Sequence, residues 1–269
     1  MEKSKLMEII KINPNAIAHI NHPTDEMKLL AVRKNGLTLQ YIDSPTREMQ
    51  ESAVDNNARA IQFITDPTEE LKIKAIQDGW VNLEYIKNPT DSLIKLAINQ
   101  AGWAIKYAHN PSEKLQLLAV KKNVDSIKFI KDPCKSVQEE AVKISYEALR
   151  YIKSPTHDAE LLAIKDNAQA LRLINDLDKH KMLEFLKINI LVMQYVMREI
   201  EIPKDELEQV LKEALSKEEV EEKYVRDFLN CGTLGKNIDM MPMDKLMFIH
   251  KYGSKKAKKI AVDEKLKIR

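Results

Sequence analysis

The chain has 269 residues, 44% of them apolar, and 43 Lys and Arg against 41 Asp and Glu for a net charge of +2. That is enough apolar material for a sizeable core, while the near-balance of charge argues against a globally basic nucleic-acid binder and leaves only a local stripe open. Two cysteines give no disulfide framework and suggest a reducing, cytoplasmic setting.

The first segment, "MEKSKLMEIIKINPNAIAHI", is charged and broken by Pro14, unlike a secretion signal. No apolar run approaches the roughly 20 residues that span a bilayer, so no membrane association is expected. From Pro23 onward the chain repeats itself. "PTDEMKLLAVRKNGLTLQYI" (23–42) and "PTEELKIKAIQDGWVNLEYI" (67–86) share their proline, threonine, alanine, aliphatic and tyrosine slots. Seven prolines, Pro23, Pro45, Pro67, Pro89, Pro111, Pro133 and Pro155, are spaced by 22 residues. Eight positions after each comes an alanine: Ala31, Ala53, Ala75, Ala97, Ala119, Ala141 and Ala163. Eighteen after comes Tyr41, Phe63, Tyr85, Tyr107, Phe129 or Tyr151, with Leu173 closing the series. Three columns in register define a repeat array.

Each unit predicts two helices. Thr24, Thr46, Thr68, Thr90, Ser112 and Thr156 are N-caps for the first, with acids behind them that suit the helix dipole. Asn35, Asn57, Gly79 and Asn123 end it. A shorter second helix carries Leu or Ile, the aromatic and usually Ile, and the next proline closes the unit. A pair this small buries its apolar surface only by stacking on its neighbours, which predicts an all-α solenoid. The alanine column, and Ala60, Ala104, Ser126, Ala148 and Ala170 on the second helices, let neighbouring helices approach. The phase extends to Ile9, Asn13, Ile17 and Ile20 upstream. Downstream it reaches Phe185, Leu186, Asn189, Met193, Tyr195 and Val196, with Leu177 in place of proline. The expected organisation is nine repeats over 1–198, the outer two degenerate, and a C-terminal helical cap or lobe with a basic tail over 199–269.

"AVRKNGLTLQYI" (Ala31–Ile42) resembles the Ala-Val, Asn-Gly, Leu-x-Tyr repeat of an uncharacterised helical domain of bacteria and viruses. The Asn88-Pro89-Thr90 triplet and the alternation of short helices are similar to the leucine-rich repeat variant family. Either resemblance implies an α-solenoid and supplies no catalytic residue.

Motifs for chemistry are few. "GTLGKN" (Gly232–Asn237) lacks the spacing and the Ser or Thr of a phosphate loop and reads as a helix-ending turn. The six histidines show no metal-ligand spacing, and His19 falls in the aromatic column, where packing is expected. Cys134 takes a cap slot. A helix N-terminus lowers a thiol pKa, but a cap substitution is the simpler reading. We therefore expect no enzyme, no cofactor, no metal and no small-molecule substrate.

The remaining signal is in the exposed columns. With the aromatic counted into the buried arc of the second helix, the residue before it faces outward. Down the array this column reads Gln40, Gln62, Glu84, Lys106, Lys128, Arg150, Arg172. Two positions after the aromatic come Asp43, Thr65, Lys87, His109, Lys131, Lys153 and Asn175. Lys87, Lys106, His109, Lys128, Lys131, Arg150, Lys153 and Arg172 are thus expected to form a basic binding surface, with Trp80 and Trp103 at its edge. The expected function is non-enzymatic engagement of a protein or nucleoprotein partner. One concrete version is a phage or mobile-element inhibitor or adaptor acting on a host defence nuclease complex in the bacterial cytoplasm. The alternative is direct RNA or DNA binding through the stripe.

Overall fold

The computed structural model describes residues 2–195, 202–234 and 243–267. Val196, Gly235, Lys236 and Asn237 lie outside them. The described residues are helical without a strand and fall into two compact units, Met1–Pro133 and Cys134–Arg269.

The first unit holds six helix pairs. Its α-helices are α1 (Glu2–Ile12), α2 (Asp25–Lys34), α3 (Arg47–Asn56), α4 (Glu69–Asp78), α5 (Asp91–Gln100) and α6 (Glu113–Lys122). Between and after them come six short helices: Pro14–His19, Gly36–Tyr41, Ala58–Phe63, Trp80–Tyr85, Gly102–Tyr107 and Val124–Phe129. Each α-helix packs on the next, as does each short helix, which makes two layers with the core between them. The second unit holds three more pairs: α7 (Lys135–Ile144) with Tyr146–Tyr151, α8 (His157–Asp166) with Ala168–Leu173, and α9 (Lys179–Ile188) with Ile190–Gln194. It continues into α10 (Lys204–Ser216), α11 (Glu222–Asn230), α12 (Lys245–Tyr252) and α13 (Lys255–Lys267). The all-α repeat architecture is therefore as the 22-residue spacing predicts.

The local reasons are visible in the caps. Thr24, Thr46, Thr68, Thr90 and Thr156 each accept a hydrogen bond from the backbone N–H three residues on, at 3.3–3.4 Å. Ser112 and Cys134 make no such side-chain cap; the Ser112 hydroxyl instead lies 3.4 Å from Asp91. The residue ending an α-helix also starts the short helix after it. Asn35, Asn57, Asn167 and Asn189 accept from the N–H two residues on, at 2.9–3.2 Å. The alanine column is fully buried from Ala31 to Ala163, and Ala60, Ala104, Ser126, Ala148 and Ala170 are buried in the second layer.

Three expectations are corrected. The second helices are 3₁₀, so residues three apart eclipse each other. Leu39 and Ile42 then share the buried edge with Gly36, while the aromatic is turned outward beyond the small residue it eclipses. Tyr41, Phe129 and Tyr151 are 45%, 40% and 48% exposed, not part of a buried arc. His19, in the same column, is exposed for the same reason. Before the proline the chain leaves the helix, as expected, through a residue of positive φ: His22, Ser44, Asn88 and Asn110 have φ of 48–54°, as does Asp176 before Leu177. These are the left-handed positions that turn the chain from one pair to the next. Lastly, the basic C-terminal segment is not a tail up to residue 267. It is α13, packed on α11 and α12 through buried Ala257, Ile260 and Ala261.

In the second unit α10 packs on α9. The buried Tyr224 hydroxyl donates to Leu186 O at 2.8 Å, one of the carbonyls left open at the end of α9. Its burial pushes the phenol pKa up. Lys179–Glu206, Lys187–Glu213 and Lys165–Glu221 ion pairs of 2.6–2.7 Å tie the repeats to α10 and α11.

A candidate binding face on the 3₁₀ helices

All eight basic residues singled out in the sequence are exposed. Lys87, Lys106, His109, Lys128 and Lys131, with both tryptophans, stand in the first unit; Arg150, Lys153 and Arg172 stand in the second.

The 3₁₀ period sets what these cations touch. Turning the aromatic to the surface brings it beside the cation that precedes it or that comes from the neighbouring repeat. Lys106 Nζ sits 4.6 Å from the Tyr107 ring centroid and 5.4 Å from that of Trp80, and the two rings lie 6.3 Å apart at 41°. The Tyr107 hydroxyl donates to Glu84 Oε2 at 3.1 Å. One repeat on, Lys128 Nζ is 5.1 Å from the Phe129 centroid and 3.9 Å from Asp125, which it eclipses across one 3₁₀ turn. In the second unit the Arg172 guanidinium lies 4.9 Å from the Tyr195 ring. Such cation–π contacts hold a charged head over a ring without neutralising it.

Lys87 lines a cleft of about 230 Å³ together with Phe63, Asp66, Pro67, Lys72 and Tyr85. Trp80 opens its 3₁₀ helix and is half-buried, whereas Trp103 is second in its own and 40% exposed. The two are therefore not equivalent, and Trp103 makes no ring-to-ring contact among the described residues.

The α-helical layer behaves differently. There several cations pair with carboxylates of the adjacent repeat: Lys3 with Glu26 at 2.7 Å, Arg33 with Glu48 at 2.8 Å, Arg47 with Glu70 at 3.1 Å, and Lys74 with Asp55, while Lys34, Lys95, Lys114, Lys122 and Lys143 make no ion pair among the described residues. The second unit repeats this with Lys135 and Asp158, and with His157 Nε2 2.8 Å from Glu184. The Lys135 ammonium holds the Asp158 carboxyl below its usual pKa. On the 3₁₀ layer, by contrast, Lys87, Lys106, Lys131, Arg150, Lys153 and Arg172 make no ion pair among the described residues.

Charge columns were legible in the sequence, but the aromatic partners were not, because an α-helical period places those rings in the core. No group of three His, Cys, Asp or Glu side chains among the described residues is placed to hold a metal, and no helix of the described residues is long and apolar enough to cross a membrane. No family model, curated protein or solved structure matches the chain.

Proposed function

We infer that the protein is a non-enzymatic binding module that engages a protein or nucleoprotein partner through the outward-facing residues of its 3₁₀ helices. The observation carrying this is the difference between the two layers. Several cations on the α layer pair with carboxylates of the adjacent repeat, whereas on the 3₁₀ layer Lys106, Lys128 and Arg172 stand over half-buried or exposed aromatic rings and, Lys128 apart, the basic residues of the face pair with no carboxylate among the described residues. Solubility alone does not require such a division. Aromatic and cationic side chains together are what binding hot spots use.

The test is affinity capture with mass spectrometry from a native extract, comparing the parent with Lys128→Glu/Arg150→Glu/Arg172→Glu. The three sites are exposed, so stability should change by about 0.5 kcal/mol or less at each. Capture of the partner should be lost and its association slowed. If what is lost is binding to bare RNA or DNA with a steep salt slope, the nucleic-acid reading replaces this one. Undiminished capture of the same partner contradicts both.

A further inference from the structure

We propose that the 3₁₀ face between Pro67 and Pro133 binds an extended acidic polypeptide that presents one carboxylate per repeat, at every third residue of a polyproline II segment. This deepens the binding reading above and rests on it.

Three observations lead there. The first is that the cations are held in place. Lys106 lies over both Trp80 and Tyr107, and Lys128 lies over Phe129. A lysine already ordered on a ring loses less freedom when a ligand arrives. The same arrangement argues against base stacking, because these rings already carry an ammonium group and a stacked base would have to displace it.

The second is that the signs alternate. Asp125 stands 3.9 Å from Lys128, Glu84 is bonded to Tyr107 beside Lys106, and Asp66 shares the cleft with Lys87. A nucleic-acid strand carries a charge about every 3.4 Å in a duplex and would run over these carboxylates as well as the cations. A ligand with widely spaced acids meets the cations and clears the acids between them.

The third is spacing. Packed helices stand about 8–10 Å apart, and successive 3₁₀ helices in this stretch pack directly on one another. A polyproline II segment repeats its facing side chain every three residues, at about 3.1 Å per residue, or about 9.3 Å. A β-strand puts neighbouring side chains of one face only about 6.6 Å apart. The exposed Trp103 ring, over which no cation of the described residues is placed, also offers a flat surface for a proline of such a segment, as aromatic grooves do for proline-rich ligands.

The experiment uses the full chain and fluorescent peptides of repeated Pro-Pro-Glu triplets, long enough to cross three repeats. The comparison ligands are a peptide of the same composition with its glutamates contiguous and an oligouridylate of equal charge. The triplet peptide should bind at least five-fold more tightly than either comparison ligand. Lys106→Glu/Lys128→Glu should weaken it by ten-fold or more, and Lys122→Glu, on the α layer, should leave it unchanged. Equal or tighter binding of the contiguous peptide or of oligouridylate overturns the proposal, as does absence of triplet binding. The fate of the broader reading is read separately. If the double variant loses native-partner capture but no triplet peptide binds, only the acidic-peptide inference fails. If the double variant captures its partner unchanged, the 3₁₀ face itself is not the binding surface.

Discussion

Ala97 and Ser44 show how single residues set this fold. Ala97 is fully buried in α5, which packs on α4 and α6. Ala97→Leu should overpack the site and cost about 1–3 kcal/mol, seen as a lower midpoint in urea unfolding. A variant as stable as the parent would mean that the alanine column is not a packing constraint. Ser44 sits at φ 51° immediately before Pro45. A left-handed conformation costs a non-glycine residue about 1–2 kcal/mol, against which glycine brings an entropic penalty of about 0.5–1 kcal/mol. Ser44→Gly should therefore raise stability by about 0.5–1 kcal/mol, measured in the same unfolding experiment, and Ser44→Val should lower it. Gly36 has a different role. A Cβ there would collide with the Ala53 carbonyl oxygen of the next repeat, so this glycine is kept for close approach, at a negative φ.

Between elements, the register of the pairs depends on amide side chains that reach across repeats. Asn56 Oδ1 accepts from the Gly36 N–H at 2.7 Å while its Nδ2 donates to Arg33 O at 3.1 Å. Gln100 does the same for the Trp80 N–H and Ile76 O, at 2.9 and 2.6 Å. Each amide thus closes an open carbonyl at the end of one α-helix and an open N–H at the start of its 3₁₀ partner. Asn189, 4% exposed, donates to Ile164 O at 2.8 Å and accepts from the Leu191 N–H at 3.1 Å. Asn189→Ala leaves both groups unpaired in a buried place and should destabilise by about 1–3 kcal/mol. Asn57→Ala, losing one cap bond near the surface, should cost less, about 0.5–1 kcal/mol. Equal losses from the two variants would show that the cross-repeat bond adds nothing to the cap.

These elements also show what the sequence holds openly and what it hides. Proline, threonine and alanine columns in strict phase make the helix pairs, their caps and their stacking legible. The 3₁₀ winding is not, because a six-residue helix is too short to separate a period of 3.0 from one of 3.6, and on that difference depends whether Tyr107 and Phe129 face the core or the solvent. The cross-repeat amides are equally hidden, since Asn56 and Gln100 bond to groups 20 to 24 residues back. Of the binding face, the cations could be read and their aromatic seats could not.

At the scale of the whole molecule, the repeats and the C-terminal helices each solve part of the problem of an exposed array end. In the second unit α10 packs on α9, and α11 packs on the short helix Ile190–Gln194. Leu207, Val210, Leu211, Leu215 and Val225 of these helices are buried, and Tyr224 satisfies a carbonyl of α9. Ending the chain after residue 195 should uncover that apolar surface and leave the carbonyl unpaired, giving a lower melting temperature and concentration-dependent aggregation. A truncated chain that stays monodisperse and melts as the parent does would show that the C-terminal helices are an appendage.

The division of labour between the two layers is the central claim, and site-specific photo-crosslinking tests it most directly. A photoreactive residue is placed in turn at Lys131 and Phe129 on the 3₁₀ layer and at Lys34 and Lys122 on the α layer, and irradiated in the native extract. The account predicts adducts to one partner from the 3₁₀ positions and none from the α positions. Adducts formed chiefly from Lys34 and Lys122, or equally from both layers, would contradict it.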